Sequence, residues 1–327
     1  MVATRSPRML DRSPGPGAGP GWGSLGSRRV TVTDQESAPP HVPRRIPMAL
    51  VTWVLIGLVL LLVAVLLVVK ITQGTVTVPP PPVGSAQPDV VRAATTVPLS
   101  VFDAVGAPGP PVLTPPAVTP GQPALTLNGR PEVLYAGAEF CPYCAAEGWV
   151  LVVALSRFGQ FGHLGATSSS NAEVFPLTKT FTFDGSTYRS DYVSFTALEL
   201  YGDQPSGQAP PGFAPIHALT PAERQVLRRY DGWPETGSGA GPMPFVDVAN
   251  RAIVIGAGTG FSPGLLLAPS ASEIAAALRR PSSPVAQAVI GAANELTAAI
   301  CAATGGRPVE VCATPGVEAG AARLVTP

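Results

Sequence analysis

The sequence predicts an α/β protein, on three observations. A run of strand formers at residues 132–137 leads into Cys141-Pro142-Tyr143-Cys144, and an apolar helical run follows at 145–158. Two more strand-like runs, 245–248 and 252–255, lie downstream, joined by Ala249-Asn250-Arg251. Two helical patterns, near 272–279 and at 284–303, close the chain. The length of 327 residues suffices for one large or two ordinary domains.

Composition narrows the function classes. Lys plus Arg and Asp plus Glu each total 21, so the formal net charge is zero and no global field draws the chain to nucleic acid. Only 13% of residues are charged, while Gly and Pro number 35 and 39, so part of the chain is expected to be extended or unfolded.

Residues 1–47 are rich in Arg, Pro, Gly and Ser without an apolar period and read as a disordered cytoplasmic tail. Residues 48–69 form an uncharged, proline-free stretch of 22, long enough to cross the roughly 30 Å hydrocarbon core as one helix. Arg44 and Arg45 at its start, with five more arginines upstream, place the amino terminus in the cytoplasm and everything after Lys70 outside it. A cleaved signal peptide is the weaker alternative, because its apolar core would be shorter and nearer the terminus. Residues 70–95, with Pro79 to Pro82 in series, read as a proline-rich extracytoplasmic linker.

Residues 96–327 are expected to form the extracytoplasmic domain. An apolar island at 97–105 is a candidate for docking on it, and ordered structure is expected in earnest from about residue 125. Asn128-Gly129 suits a type I′ hairpin turn before the first strand. Residues 164–169 form a second strand candidate, and 180–200 alternate Phe and Tyr with polar residues around Asp184-Gly185, as a half-buried hairpin would. A short helix is expected from Thr220, a capping residue with Glu223 three positions on, to Tyr230.

The strand, C-x-x-C, helix order suits thiol chemistry. It puts Cys141 at a helix amino terminus, where unpaired N–H groups and the positive end of the helix dipole stabilise a thiolate. Cys144 is spaced to attack a mixed disulfide formed at Cys141, and Pro142 fits the first helical turn. Tyr143 brings no positive charge, and Glu139 and Glu147, if close, would oppose ionisation of Cys141. Met243-Pro244 directly precedes the strand at 245–248, a natural place for a cis-proline.

With these motifs in view, the chain resembles the thioredoxin superfamily over roughly residues 125–280. The resemblance implies that Cys141 is the attacking and Cys144 the resolving thiol. It also implies that Pro142, Tyr143, Met243 and Pro244 contact substrate. Phe140 stands where the superfamily usually has Trp, and the long interval from Cys144 to Pro244 implies an inserted subdomain at about 165–230. The phrases AGAEFCPYCAAEGWVLVVALSRFG, MPFVDVANR and SSPVAQAVIGAANELTAAIC are similar to an uncharacterised bacterial and archaeal family of membrane-anchored thioredoxin-like proteins, known as a domain of unknown function.

Cys301 and Cys312, an even pair in an oxidising compartment, most simply form a structural disulfide; a second redox pair relaying electrons and a zinc site are the alternatives. His41, His163 and His217 lack Ser-Asp or Cys partners, Ser168 to Ser170 lack a nucleophile elbow, and the Gly256 to Gly260 run lacks a P-loop lysine. No metal or cofactor is expected. The expected function is thiol–disulfide exchange with envelope or secreted proteins, with a membrane redox partner possible, the bilayer contacted through residues 48–69 and nucleic acid excluded. The competing expectation is a non-catalytic thioredoxin-like module that binds or scaffolds a membrane complex.

Overall fold

A computed structural model describes residues 48–72, 84–113, 123–207, 212–230, 242–256 and 260–324. The chain divides into two units, Met1–Gly74 and Thr75–Pro327. In the first, α1 (Met48–Thr72) is one 25-residue helix, and its large apolar side chains from Trp53 to Val68 are exposed. The tail at 1–47 lies outside the described residues.

The second unit begins with β1 (Gly84–Ser85), α2 (Pro88–Thr95) and α3 (Leu99–Val105). The linker expected over 70–95 is therefore too long at its far end. Residues 73–83 lie outside the described residues, but 84–95 belong to the folded unit. Val90 and Ala94, four apart on one face of α2, are both buried, and Pro88 starts this helix instead of extending the proline run. The apolar island docks as α3, burying Val101, Phe102 and Val105.

Next come β2 (Thr126–Leu127), β3 (Arg130–Gly137), α4 (Pro142–Leu155), β4 (Gly159–Gly162), β5 (Gly165–Ser168), β6 (Lys179–Thr182), β7 (Thr187–Ser190) and β8 (Ser194–Glu199). They are followed by β9 (Tyr201–Pro205), β10 (Phe213–Pro215), α5 (Pro221–Arg229), β11 (Phe245–Val248) and β12 (Ala252–Ile255). A 3-10 turn (Pro263–Leu266) leads to α6 (Ala271–Ala277), α7 (Pro284–Ala303), α8 (Val309–Cys312) and α9 (Pro315–Ala321).

The central sheet runs β8-β3-β11-β12, with β2 paired to the start of β3. Strands β3 and β8 are parallel, Val133 opposite Phe195 and Gly137 opposite Glu199, with α4 between them in the chain. Strands β11 and β12 run antiparallel to their neighbours, Phe245 lying opposite both Ala136 and Ile255. At the β2–β3 turn both central residues have positive φ, 53° at Asn128 and 75° at Gly129, as a type I′ turn requires.

The hairpin expected over 180–200 does not form. Strand β6 pairs with β5 and β7 with β4, while β8 leaves to join the central sheet. The chain does reverse at Gly185, with φ of 70°. Alternation of Phe and Tyr marks one buried face per strand but does not specify the partner. The block expected as an insertion over 165–230 is likewise split, because β8 lies inside it.

Period-two alternation sorts the sheet into two apolar faces. Val133 and Tyr135 of β3, Val246 and Val248 of β11, and Val254 of β12 point into the main core with α4 and α7. Leu134, Ala136, Phe245 and Ile253 point to the other side, where Leu227 and Tyr230 cover them. Helix α5 carries the expected capping box between Thr220 and Glu223. Helix α4 is buried along nearly its whole length, with Trp149 at its centre donating Nε1–H to the Lys179 carbonyl at 2.8 Å. Gly148 lets β6 approach: a Cβ there would meet Thr180 Oγ1 at 2.6 Å. Helix α7 is long and apolar enough to cross a membrane by length and composition, but most of it is buried in this core.

Cys301, at the end of α7, is bonded to Cys312 in α8 across an 11-residue separation, with Cα atoms 5.6 Å apart. Closing a loop of that size contributes about 3 kcal/mol on the chain-entropy model. The Cys301→Ser/Cys312→Ser double variant is expected to lose about that much unfolding free energy in a denaturant titration. An unchanged midpoint would show that α7–α9 packing holds the tail without the bond.

Candidate functional site

The site is built where β3 ends and α4 begins. Cys141 is the N-cap of α4, in extended backbone at φ −82° and ψ 121°, and Pro142 occupies the first turn. The Cys144 amide donates to Cys141 Sγ at 3.3 Å, so one orphan N–H of the helix terminus is spent on the sulfur. Both cysteines are free thiols. The connecting backbone is held from two sides, by Ser170 N–H donating to the Phe140 carbonyl at 3.0 Å and by Glu139 N–H donating to the Tyr201 carbonyl at 2.9 Å.

Titration follows from these contacts. The Cys141 thiol is lowered from its ordinary value, first by a hydrogen bond from the Cys144 side chain and then by backbone amides, against the opposing effect of burial. Cys144 is raised well above it, chiefly by burial and then by its hydrogen bond to Cys141. The pair's shared proton therefore stays on Cys144 and the thiolate forms at Cys141. Tyr135, fully inside on β3, is also pushed well up by burial and is hydrogen-bonded to Cys144. Gly137 makes that possible: a Cβ there would collide with the Tyr135 hydroxyl.

Cys141 is only 7% exposed, in an apolar cluster with Ala138, Phe140, Cys144 and Phe213. Phe213, in β10, stacks on Phe140 with centroids 4.0 Å apart, and Phe175, between β5 and β6, meets Tyr143 edge-on at 6.1 Å. One expectation about the surroundings needs correction: the acid opposing Cys141 ionisation is Glu173, not Glu139 or Glu147. Glu147 is raised to about 8 by burial alone, and Glu139 acts on Glu199.

Of the other residues that the sequence singles out, Met243 packs against the cysteine cluster, and Met243-Pro244 is a cis peptide. Pro244 is buried, its carbonyl accepting from Gly256 N–H at 2.8 Å. Pro142 and Tyr143 lie in the first turn of α4, buried and half-buried. Cys301 belongs to the main core cluster and not to that of Cys141 and Cys144. His217 is hydrogen-bonded to Glu223 at 3.3 Å. Ser168 to Ser170 are wholly buried, Ser169 bonding the Phe175 carbonyl. Among the described residues no group of three or more His, Cys, Asp or Glu is placed to hold a metal ion.

Sequence reasoning misses Tyr135, Glu173 and Glu199. Glu199 ends β8, is raised to about 8 chiefly by burial, and its charge acts on Cys144 and Tyr135. Its only sequence signal is an acid at the end of an apolar strand, visible once that strand is known to pair with β3.

The model of a domain of unknown function, DUF929, matches residues 119–210, less than a third of the chain. That stretch holds both cysteines, Tyr135 and Glu199, and stops short of Met243 and of the Cys301–Cys312 bond. No curated protein and no solved structure matches the chain.

Burial of Glu147 has a consequence for stability. Its carboxyl titrates near 4.5 when unfolded and about 8 when folded, so its contribution is full below about pH 4.5 and is lost as the pH rises through 8. The loss is on the order of 5 kcal/mol. Glu147→Gln is expected to narrow the difference in denaturation midpoint between pH 5 and pH 8.5. A difference equal to wild type would place the pH dependence elsewhere.

Proposed function

We propose that the chain is a membrane-anchored, extracytoplasmic thiol–disulfide oxidoreductase with a thioredoxin-like core. The observation that carries this reading is the Cys144 amide donating to Cys141 Sγ at the start of α4, with the lowered Cys141 thiol beside a raised Cys144. The fold reading draws support from the parallel β3-α4-β8 unit, the antiparallel β11 and β12 beside it, and Met243 against the cysteine cluster. The anchoring reading draws support from the 25-residue apolar α1 and the arginines that precede it.

In the reductive direction the Cys141 thiolate attacks one sulfur of a substrate disulfide. The substrate S–S bond breaks, one substrate sulfur leaves as thiolate, and a mixed disulfide forms at Cys141. Cys144 then loses its proton and attacks Cys141 Sγ, releasing the second substrate thiolate. Two electrons have passed to the substrate and the pair is oxidised; the reverse sequence oxidises a substrate dithiol. Tyr135 and Glu199 act as positioning residues, setting how readily Cys144 gives up its proton.

One observation favours a second reading: Cys141 is 7% exposed beneath Phe140 and Phe213, as a structural cysteine on a binding scaffold would be. Alkylation of the reduced full chain at graded pH separates the two. The exchange reading expects one rapidly labelled thiol, Cys141, with a midpoint below the ordinary cysteine value of about 8.5, and a trapped mixed disulfide in Cys144→Ser. Two cysteines that label only on denaturation would favour the scaffold.

A further inference from the structure

Away from the cysteines, the ends of α2 and α4 meet α3 and α8 around a cavity of about 200 Å³. None of its lining residues belongs to the cluster around Cys141. Its wall is apolar along Val97, Leu99, Phe102, Val153 and Val311, and Leu99, 47% exposed, stands where that wall reaches solvent. Three polar side chains line it as well. Thr95 and Ser156 donate their hydroxyl hydrogens back to the carbonyls of Val91 and Val152, at 2.8 and 2.6 Å, so neither has a donor left for the cavity. Arg157 does. Its guanidinium carbon lies 4.2 Å from the centre of the Phe102 ring, and its two hydrogen bonds, both 3.2 Å, go from its two terminal nitrogens to neutral acceptors, Asn294 Oδ1 and Thr314 Oγ1. A guanidinium carries five N–H groups, so each terminal nitrogen keeps one uncommitted, while Nε is buried without a partner. The ion pairs among the described residues, Arg92–Asp89 and His217–Glu223, do not include it. Asp103 acts on Arg157 without an ion-pair contact and spends one oxygen on the Gly316 amide at 3.0 Å. Burial lowers Arg157 to about 10, so it is still a cation at neutral pH.

We infer that this cavity binds a small carboxylate with an apolar tail, the head on the uncommitted N–H groups of Arg157 and the tail against the apolar wall. The inference goes beyond the exchange reading and does not rest on it. A partly desolvated cation whose hydrogen bonds go to neutral groups gains most from a carboxylate, which matches a guanidinium in both charge and planar geometry. An alkyl chain gains by leaving water for the wall. An apolar cavity of about 150 Å³ is enough to hold benzene, so there is room here for a tail of about four to six carbons.

The test is calorimetric titration of the full chain, in a neutral detergent at neutral pH, with three probes: hexanoate; hexanol, the same tail without charge; and acetate, the charge without the tail. Hexanoate should saturate a single site with a Kd on the order of 1 mM or tighter, as a ligand of this size allows. Hexanol and acetate should each bind about tenfold more weakly. Arg157→Gln should bind hexanoate no better than hexanol while keeping the wild-type affinity for hexanol, and Leu99→Trp, at a half-exposed position of the wall, should weaken both. The ranking of the three probes on the wild-type chain stands without either variant. Hexanoate heat that does not saturate, hexanol or acetate binding as tightly as hexanoate, or full hexanoate affinity in Arg157→Gln would each overturn the site, and none of these results touches the exchange reading.

Discussion

The site depends on the contact that Cys144, through both its thiol and its amide, makes with the sulfur of Cys141. It exists because α4 starts at Pro142, immediately after a cysteine in extended backbone. A residue capping a helix in that conformation turns its side chain toward the free amides of the first turn. A sulfur that accepts such a bond is favoured as the anion. Helix α4 cannot shift to relax the contact, because it is apolar around nearly its full circumference and packed between the sheet and α7.

Against that stabilisation stand burial and acid. Cys141 is packed with the stacked rings of Phe140 and Phe213, and the acid that acts on it, Glu173, opposes ionisation where a cation would lower the thiol further. Glu147 and Glu199, each raised to about 8, are costly in a folded core once ionised. Asp247 shows how a buried acid is accommodated away from this site. It is raised to about 7, yet one oxygen accepts from the Asn250 amide at 2.7 Å and secures the β11–β12 turn. Glu139 and Glu199 each leave an oxygen without a partner close to the reactive pair, which is where such a cost coincides with chemistry.

Much of the framework was legible in the sequence because it is local. The Asn128-Gly129 turn, the Thr220–Glu223 capping box, the two strands after Pro244 and helix α7 all follow from short-range propensity and periodicity. The cysteine at a helix start was legible for the same reason. What sequence could not give was long-range pairing. Strand β8 looks like half of a hairpin because its Phe and Tyr alternation fits any sheet, and only its parallel register with β3 brings Glu199 level with Gly137. The lid over Cys141 was hidden too, since Phe175 and Phe213 lie 34 and 72 positions beyond it in segments with no periodic signal.

The proposed chemistry makes the pair a reversible two-electron couple embedded in a fold that also holds a bonded pair, Cys301–Cys312, in a different part of the core. The most direct measurement is equilibration of the full chain in graded dithiol and disulfide buffers, with the redox state of Cys141 and Cys144 read by mass-shift labelling. A single two-electron transition is expected at a potential within the range of about −270 to −120 mV spanned by such couples. A pair that stays reduced, or stays bonded, across the whole series would contradict exchange at this site.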